Sequence, residues 1–144
     1  MTTLHAARAT SDAVVFNLRA AGLIVGDGDA PTAAGWQGTP GQSTFVAYTV
    51  VYPIAGGTSD GTVAAPDADA EALYQLSSVG VSRQQAEAQA DRARTVMLTW
   101  PLTVTGRAVP LVRLDSIGGA FRDDEGAPML FTVADRYRIH TTPA

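Results

Sequence analysis

Cysteine is absent from this chain of 144 residues. That excludes a disulfide framework, a thiolate metal site and a cysteine nucleophile, and it leaves the redox compartment open. Lysine is absent too, so all 10 basic residues are arginine. Together with the many alanines this points to a GC-rich coding genome and to nothing mechanistic. The only 2 histidines are His5 and His140. No Gly-x-Ser-x-Gly elbow occurs, and no serine has a neighbouring histidine in a known motif, so a Ser-His-Asp site finds no support. No apolar run approaches the roughly 20 residues of a membrane helix. The opening MTTLHAARATSDAVV lacks a charged segment followed by an apolar one, so no secretory signal is expected. Positive charge is also short: the net charge is −4 and the pI about 4.9. A broad nucleic-acid surface needs clustered cations to displace counterions, so direct nucleic-acid recognition is not expected.

What is present is an ordinary globular composition, 46% hydrophobic and 17% charged. The length suits a single domain over 1–144 with a modest core. The chain is organised around Leu73–Leu98. Leu73, Gln75, Ser77 and Val79 alternate with Tyr74, Leu76 and Ser78, the period of a strand. Val79-Gly80-Val81 turns the chain. Ser82 then stands as an N-cap with Gln85 three residues on, a capping box, with Val81 and Ala86 spaced for a hydrophobic staple. Ala86, Ala90, Ala93 and Met97 form a helical stripe, small enough for close approach to a sheet. Asp91 and Arg94 are spaced for an ion pair.

Upstream, Leu4, Ala7, Val14, Leu18 and Ala21 predict a first helix over about Leu4–Ala21. Ser11-Asp12 offers a competing N-cap, and Gly22 with Leu23 fits its C-terminal closure. Gly26–Gln42 is rich in Gly, Pro and Asp and reads as loop, with Trp36 set to fold back or meet a partner. Thr44–Ile54 is β-branched and aromatic, a strand that Pro53 ends or places near an edge. Ala55–Ala70 reads as a long mobile loop between two strands of an extended hairpin. Downstream, Trp100–Thr105 reads as a short extended piece, Val109–Ile117 as an alternating strand and Arg122–Pro128 as a charged turn. Met129–His140 is the last strand, with Phe131, Val133, Tyr137 and Ile139 on one face. The order α-β-β-α-β-β predicts an α+β fold: a four-stranded, mainly antiparallel sheet with two helices packed on one face. Thr49, Gln75, Ser77, Arg113 and Arg136 are expected on the other, semi-polar face.

Carboxylates cluster at Asp27/Asp29, at Asp67/Asp69/Glu71 and at Asp123/Asp124/Glu125. A pair of the form Asp-x-Asp chelates hard cations in some settings. These pairs lie in Gly- and Pro-rich stretches where aspartate bonds its own backbone, so solvated turns are the expectation and no metal or cofactor is assigned. Glycines do not precede a helix start as a phosphate loop requires. Arg92 and Arg94 are expected at the end of the second helix, suited to its dipole. Arg136 and Arg138 fall on one face of the last strand. Their plain role is solubility; their functional one is bidentate pairing to the acidic segments of a neighbouring copy.

The segment Tyr74-Gln75-Leu76-Ser77-Ser78-Val79-Gly80-Val81-Ser82-Arg83-Gln84-Gln85-Ala86 resembles the strand-to-helix passage of tail terminator (tail completion) proteins of long-tailed bacteriophages. Asp91–Leu98 is similar to the helix end that follows there, and Phe131–Ile139 to the last strand. Val50-Val51-Tyr52-Pro53 and Gly56-Gly57 fall where that family has a strand and a loop. The resemblance implies a non-enzymatic virion protein, made in the bacterial cytoplasm and placed at the head-proximal end of the tail. It implies a ring-forming homo-oligomer, generally a hexamer, that caps the tail tube, ends its growth and meets head connector or neck proteins. Other neck or tube-associated proteins share part of this architecture. Under this reading Trp36, Asp67, Asp69, Arg92, Arg94, Arg113, Asp123, Asp124, Glu125, Arg136 and Arg138 are subunit or partner contacts. A reading of another class is a small ligand-binding or enzymatic domain with Trp36, Tyr48 or Tyr74 and one carboxylate around a sheet-face pocket.

Overall fold

A computed structural model describes residues 4–31, 44–123 and 129–144. The elements are α1 (Ala7–Ala20), β1 (Val25–Asp27), β2 (Tyr48–Thr62), β3 (Ala65–Gly80), α2 (Arg83–Thr99), β4 (Arg107–Ser116), β5 (Phe121–Asp123) and β6 (Leu130–Pro143).

The sheet has 6 strands in the order β1-β2-β3-β6-β4, with β5 also paired to β6. β1 runs parallel to β2 and the other pairings are antiparallel. The expectation of a four-stranded, mainly antiparallel sheet is therefore corrected to a six-stranded mixed one. The two extra strands have 3 residues each. Val25-Gly26-Asp27 and Phe121-Arg122-Asp123 are too short for any periodicity to show, and they sit in stretches whose composition reads as turn. They become strands through their partners: Val25 lies beside Thr49, and Phe121 beside Thr132.

The segment expected as a mobile loop, Ala55–Ala70, is also a correction. It forms the outer halves of β2 and β3, which pair on through Asp60 and Asp69 to Thr62 and Ala65. Glycines at 56 and 57 accompany a register shift between Ile54 and Thr58; Gly56 has φ +107, a conformation that glycine adopts without penalty. Pro53 does not end the strand. Nearly every residue of the outer half of β2 is exposed, so no apolar alternation marks it in the sequence.

Both helices pack on one face of the sheet. Val14, Val15 and Leu18 of α1 and Ala93, Val96 and Met97 of α2 share a core with Val51, Tyr74, Leu76, Tyr137 and Ile139. α2 begins as the capping box implies: the Ser82 hydroxyl accepts from the Gln85 amide at 3.1 Å. The Gln85 carboxamide accepts from the Val81 amide at 2.7 Å and donates to the Phe45 carbonyl at 3.1 Å, tying the cap to the start of β2. α1 closes at Gly22 (φ +88), with the Leu23 amide donating to the Leu18 carbonyl. Its start is Ala7 and has no side-chain cap. Ser11 lies inside α1 and bonds the Tyr74 hydroxyl at 2.8 Å, so the competing cap at Ser11-Asp12 is not used.

Thr49 was expected on the open face, yet it is fully buried under α2. It accepts from Gln89 at 3.0 Å and bonds Ser78 at 3.2 Å. A buried hydroxyl of this kind is stable only when bonded, and Gln89 on the alanine stripe supplies the partner.

Candidate functional site

Side chains alternate across a strand, so the register sorts the open face without ambiguity. Gln75 faces Arg136, Leu73 faces Arg138, and Glu71 faces His140. On β4, Arg113 lies opposite Arg138, Leu111 opposite His140 and Ser116 opposite Arg136. The face therefore carries Gln75, Arg113, Arg136, Arg138, Glu71 and His140, with exposed Leu111 and Phe121 at its margin. At the end near Tyr48, Val50 and Val79 it is covered by Ile24, Phe45, Tyr52 and Leu130.

Its centre is an ion network. Arg138 donates to Glu71 at 3.0 Å and to Asp115 at 3.3 Å, and His140 Nδ1 lies 3.2 Å from the second Glu71 oxygen. Hydrogen bonds from Arg138, then from His140, hold the Glu71 carboxyl below its ordinary value of 4.5. Arg113 and Arg136 are exposed and make no ion pair among the described residues. Farther along, the outer halves of β2 and β3 extend as an arm that β6 joins only from Ala70. Asp60 and Asp69 are direct cross-strand neighbours on this arm, and Asp67 accepts from Ser59 at 2.9 Å. No basic residue occurs between Ile54 and Ala70. The arm ends in Val63, fully exposed at the turn.

Arg94 has a different role from the one expected. α2 runs on to Thr99, so neither Arg92 nor Arg94 is in its last turn. Arg94 makes a bidentate pair with Asp135 of β6, at 2.7 and 3.0 Å, and also meets Asp91 at 3.1 Å. Asp135 is buried and takes a third bond from the Gly118 amide at 2.9 Å. This is an internal clamp between α2, β6 and the segment after β4. The clamp engages the Arg94 side chain within the subunit. Arg92 is exposed on α2.

The pocket reading does not gain from the geometry. Tyr48 and Tyr74 lie on opposite faces of the sheet. The Tyr74 phenol is buried and pushed up mainly by that burial, with Ser11 as its partner. A cleft of about 500 Å3 between α1 and the base of the arm is lined by His5, Ser11, Pro53, Gly57, Glu71 and Tyr74, among others. Ser11 bonds Tyr74 there and Glu71 bonds Arg138 and His140, while the buried His5 Nδ1 has no hydrogen-bond partner among the described residues. No group of three or more His, Asp or Glu is placed to hold a metal ion among the described residues.

No family description matches the sequence, and no curated protein matches it. The fold does have a counterpart. A chain in the virion of a native gene transfer agent particle superposes with a TM-score of 0.66, over 94% of this chain and 96% of that one. The two share 18% sequence identity. At that identity the likeness is one of fold, and it extends over nearly the whole of both chains.

Of the expected contact residues, the structure gathers Arg113, Arg136 and Arg138 on the open face and places Asp67 and Asp69 on the arm. Trp36, Asp124 and Glu125 lie outside the described residues, and Asp123 ends β5. Sequence reasoning missed Asp60 and Asp115 as members of the charged face. Alternation had already placed Asp115 with Arg113; Asp60 became legible only when the arm's register was known.

Proposed function

We propose that this chain is a structural subunit of a phage-like virion. Its best-supported station is the tail terminator: a ring of about six copies, closed by head-to-tail contacts, that caps the tail tube, ends its growth and offers a surface to head connector proteins. The observation that carries the reading is the agreement of fold, end to end, with a chain of the gene transfer agent virion. The resemblance of Tyr74–Ala86 to tail terminators narrows the station, and another neck or tube-associated role is the alternative. Two features suit a ring subunit: an acidic arm at the end of β2 and β3, and an open face on which Arg113 and Arg136 make no ion pair among the described residues. The proposal includes no enzymatic activity, and self, tube protein and neck proteins are the partners.

Size-exclusion chromatography with light scattering, across a range of protein concentrations, tests the ring. Electron microscopy of the protein mixed with purified tail tubes tests its place. A discrete species of about six subunits, or density capping one end of the tube, is the expected result. A protein that stays monomeric at every concentration and leaves tube ends bare refutes the reading.

A further inference from the structure

Two like-charge pairs stand on the sheet's open side, and their signs are opposite. Asp60 and Asp69 are direct cross-strand neighbours on the arm, and Arg113 and Arg138 are direct neighbours across β4 and β6. Side chains so placed are about 5 Å apart at Cβ, and like charges there destabilise the pairing that holds them. The cationic pair is half relieved, because Arg138 is engaged by Glu71 and Asp115. Arg113 and, two residues from Arg138, Arg136 are not. The acidic pair has no cation on its own arm. The two charge groups cannot satisfy each other within one subunit. Leu73, opposite Arg138, lies four residues from Asp69, about 13 Å along the strand. Arg138, the arginine of that pair that faces β3, is already engaged by Glu71.

From these observations we infer that the acidic arm of one copy (Asp60, Asp67, Asp69) docks on the arginine-bearing face (Arg113, Arg136) of the next copy. The partner is a second copy of this chain, because one surface supplies what the other lacks. The face also offers exposed Leu111 at 49% and Phe121 at 56%, apolar surface that such a contact would cover. The two surfaces are different parts of the subunit, so the contact is heterologous, the kind that closes a ring when its rotation closes. Charge complementarity of this kind sets which surfaces meet and in which register. This inference rests on the ring reading above and adds to it which surfaces join.

Charge reversal tests it. One variant carries Asp60→Arg and Asp69→Arg, a second Arg113→Glu and Arg136→Glu, and a third all four changes. Circular dichroism establishes that each is folded. Should a reversal fail to fold, the milder Asp60→Asn/Asp69→Asn and Arg113→Gln/Arg136→Gln replace it, with weakened assembly of each as the expected result and wild-type-like assembly of both as the overturning one, since neutral variants cannot rescue each other. Light scattering in about 0.1 M salt, where charges interact over about 10 Å, reads assembly. Each two-site variant should need at least about tenfold more protein to assemble than the wild type. The four-site variant should recover. An equimolar mixture of the two defective variants should also assemble, since the arm of each now matches the face of the other. Wild-type-like assembly of both two-site variants overturns the docking surface and leaves the ring standing. So does failure of both with recovery in neither the four-site variant nor the mixture. A wild type that never leaves the monomer overturns the ring and the surface together. Recovery as a closed dimer keeps the surface and rejects the ring.

Discussion

At the scale of single residues, two charge clusters have separate tasks. Asp135 is almost wholly buried, and it accepts two bonds from Arg94 and one from Gly118. Removing the cation strands a carboxylate in the interior, which costs about 3 kcal/mol or more. Arg94→Met is therefore expected to lower the urea midpoint by that equivalent at unchanged slope, measured by equilibrium unfolding. A side chain at position 118 would fare no better: a Cβ there would stand 2.1 Å from the Ala134 carbonyl oxygen. Glu71 belongs to the other cluster. Arg138, then His140, depress its pKa below 4.5 in the folded state. A depressed carboxylate contributes stability that is complete above its unfolded value and is lost as the pH falls through its folded one. Unfolding midpoints taken from about pH 6 down to about pH 3 should thus fall for the wild type. Glu71→Gln should be less stable at the upper end and converge with the wild type at the lower end. Neither cluster was legible in the sequence. Arg94 and Asp135 are 41 residues apart, and Arg94 read as a helix-end cation until the helix ran on past it.

At the scale of elements, legibility followed the local physics. α2 was legible because its signals are local: cap, capping partner and a stripe of alanines, all of which the structure uses. Ser82→Ala should cost about 1 kcal/mol, read as a shift in the thermal or urea midpoint. β6 and the inner halves of β2 and β3 were legible because one face is buried and the alternation is written in residue type. The outer arm was not, because its β2 half is almost wholly exposed and the arm buries only small alanines, Ala68 on it and Ala70 at its base, so no bulky apolar alternation marks it. A two-stranded ribbon of that sort is marginal without a third strand. Amides of residues 55–69 are expected to exchange rapidly in the lone subunit, and at least about tenfold more slowly in the assembled form, by hydrogen exchange with mass spectrometry. Equal rates in both forms would remove the arm from the contact. β1 and β5 were hidden for another reason: three residues cannot display a period, and only their neighbours define them.

At the scale of the whole molecule, the expected order α-β-β-α-β-β and its four-stranded, mainly antiparallel sheet give way to a six-stranded mixed sheet. The strand count and the parallel edge were not legible, since they arise from long-range pairing. The resemblance to tail terminators and the fold shared with a gene transfer agent virion chain arose from different information, one from sequence and one from shape. Contacts built on exposed charges weaken as salt shortens the range of the field, from about 10 Å at 0.1 M to about 3 Å at 1 M. The assembled species should accordingly lose subunits on raising the salt over that range, measured by light scattering, and should re-form on dialysis. A further consequence follows from the strand order. β6 lies between β3 and β4 and pairs with both. A chain cut before Leu130 has nothing to fill the middle of its sheet and leaves Arg94 without Asp135, paired with Asp91 alone.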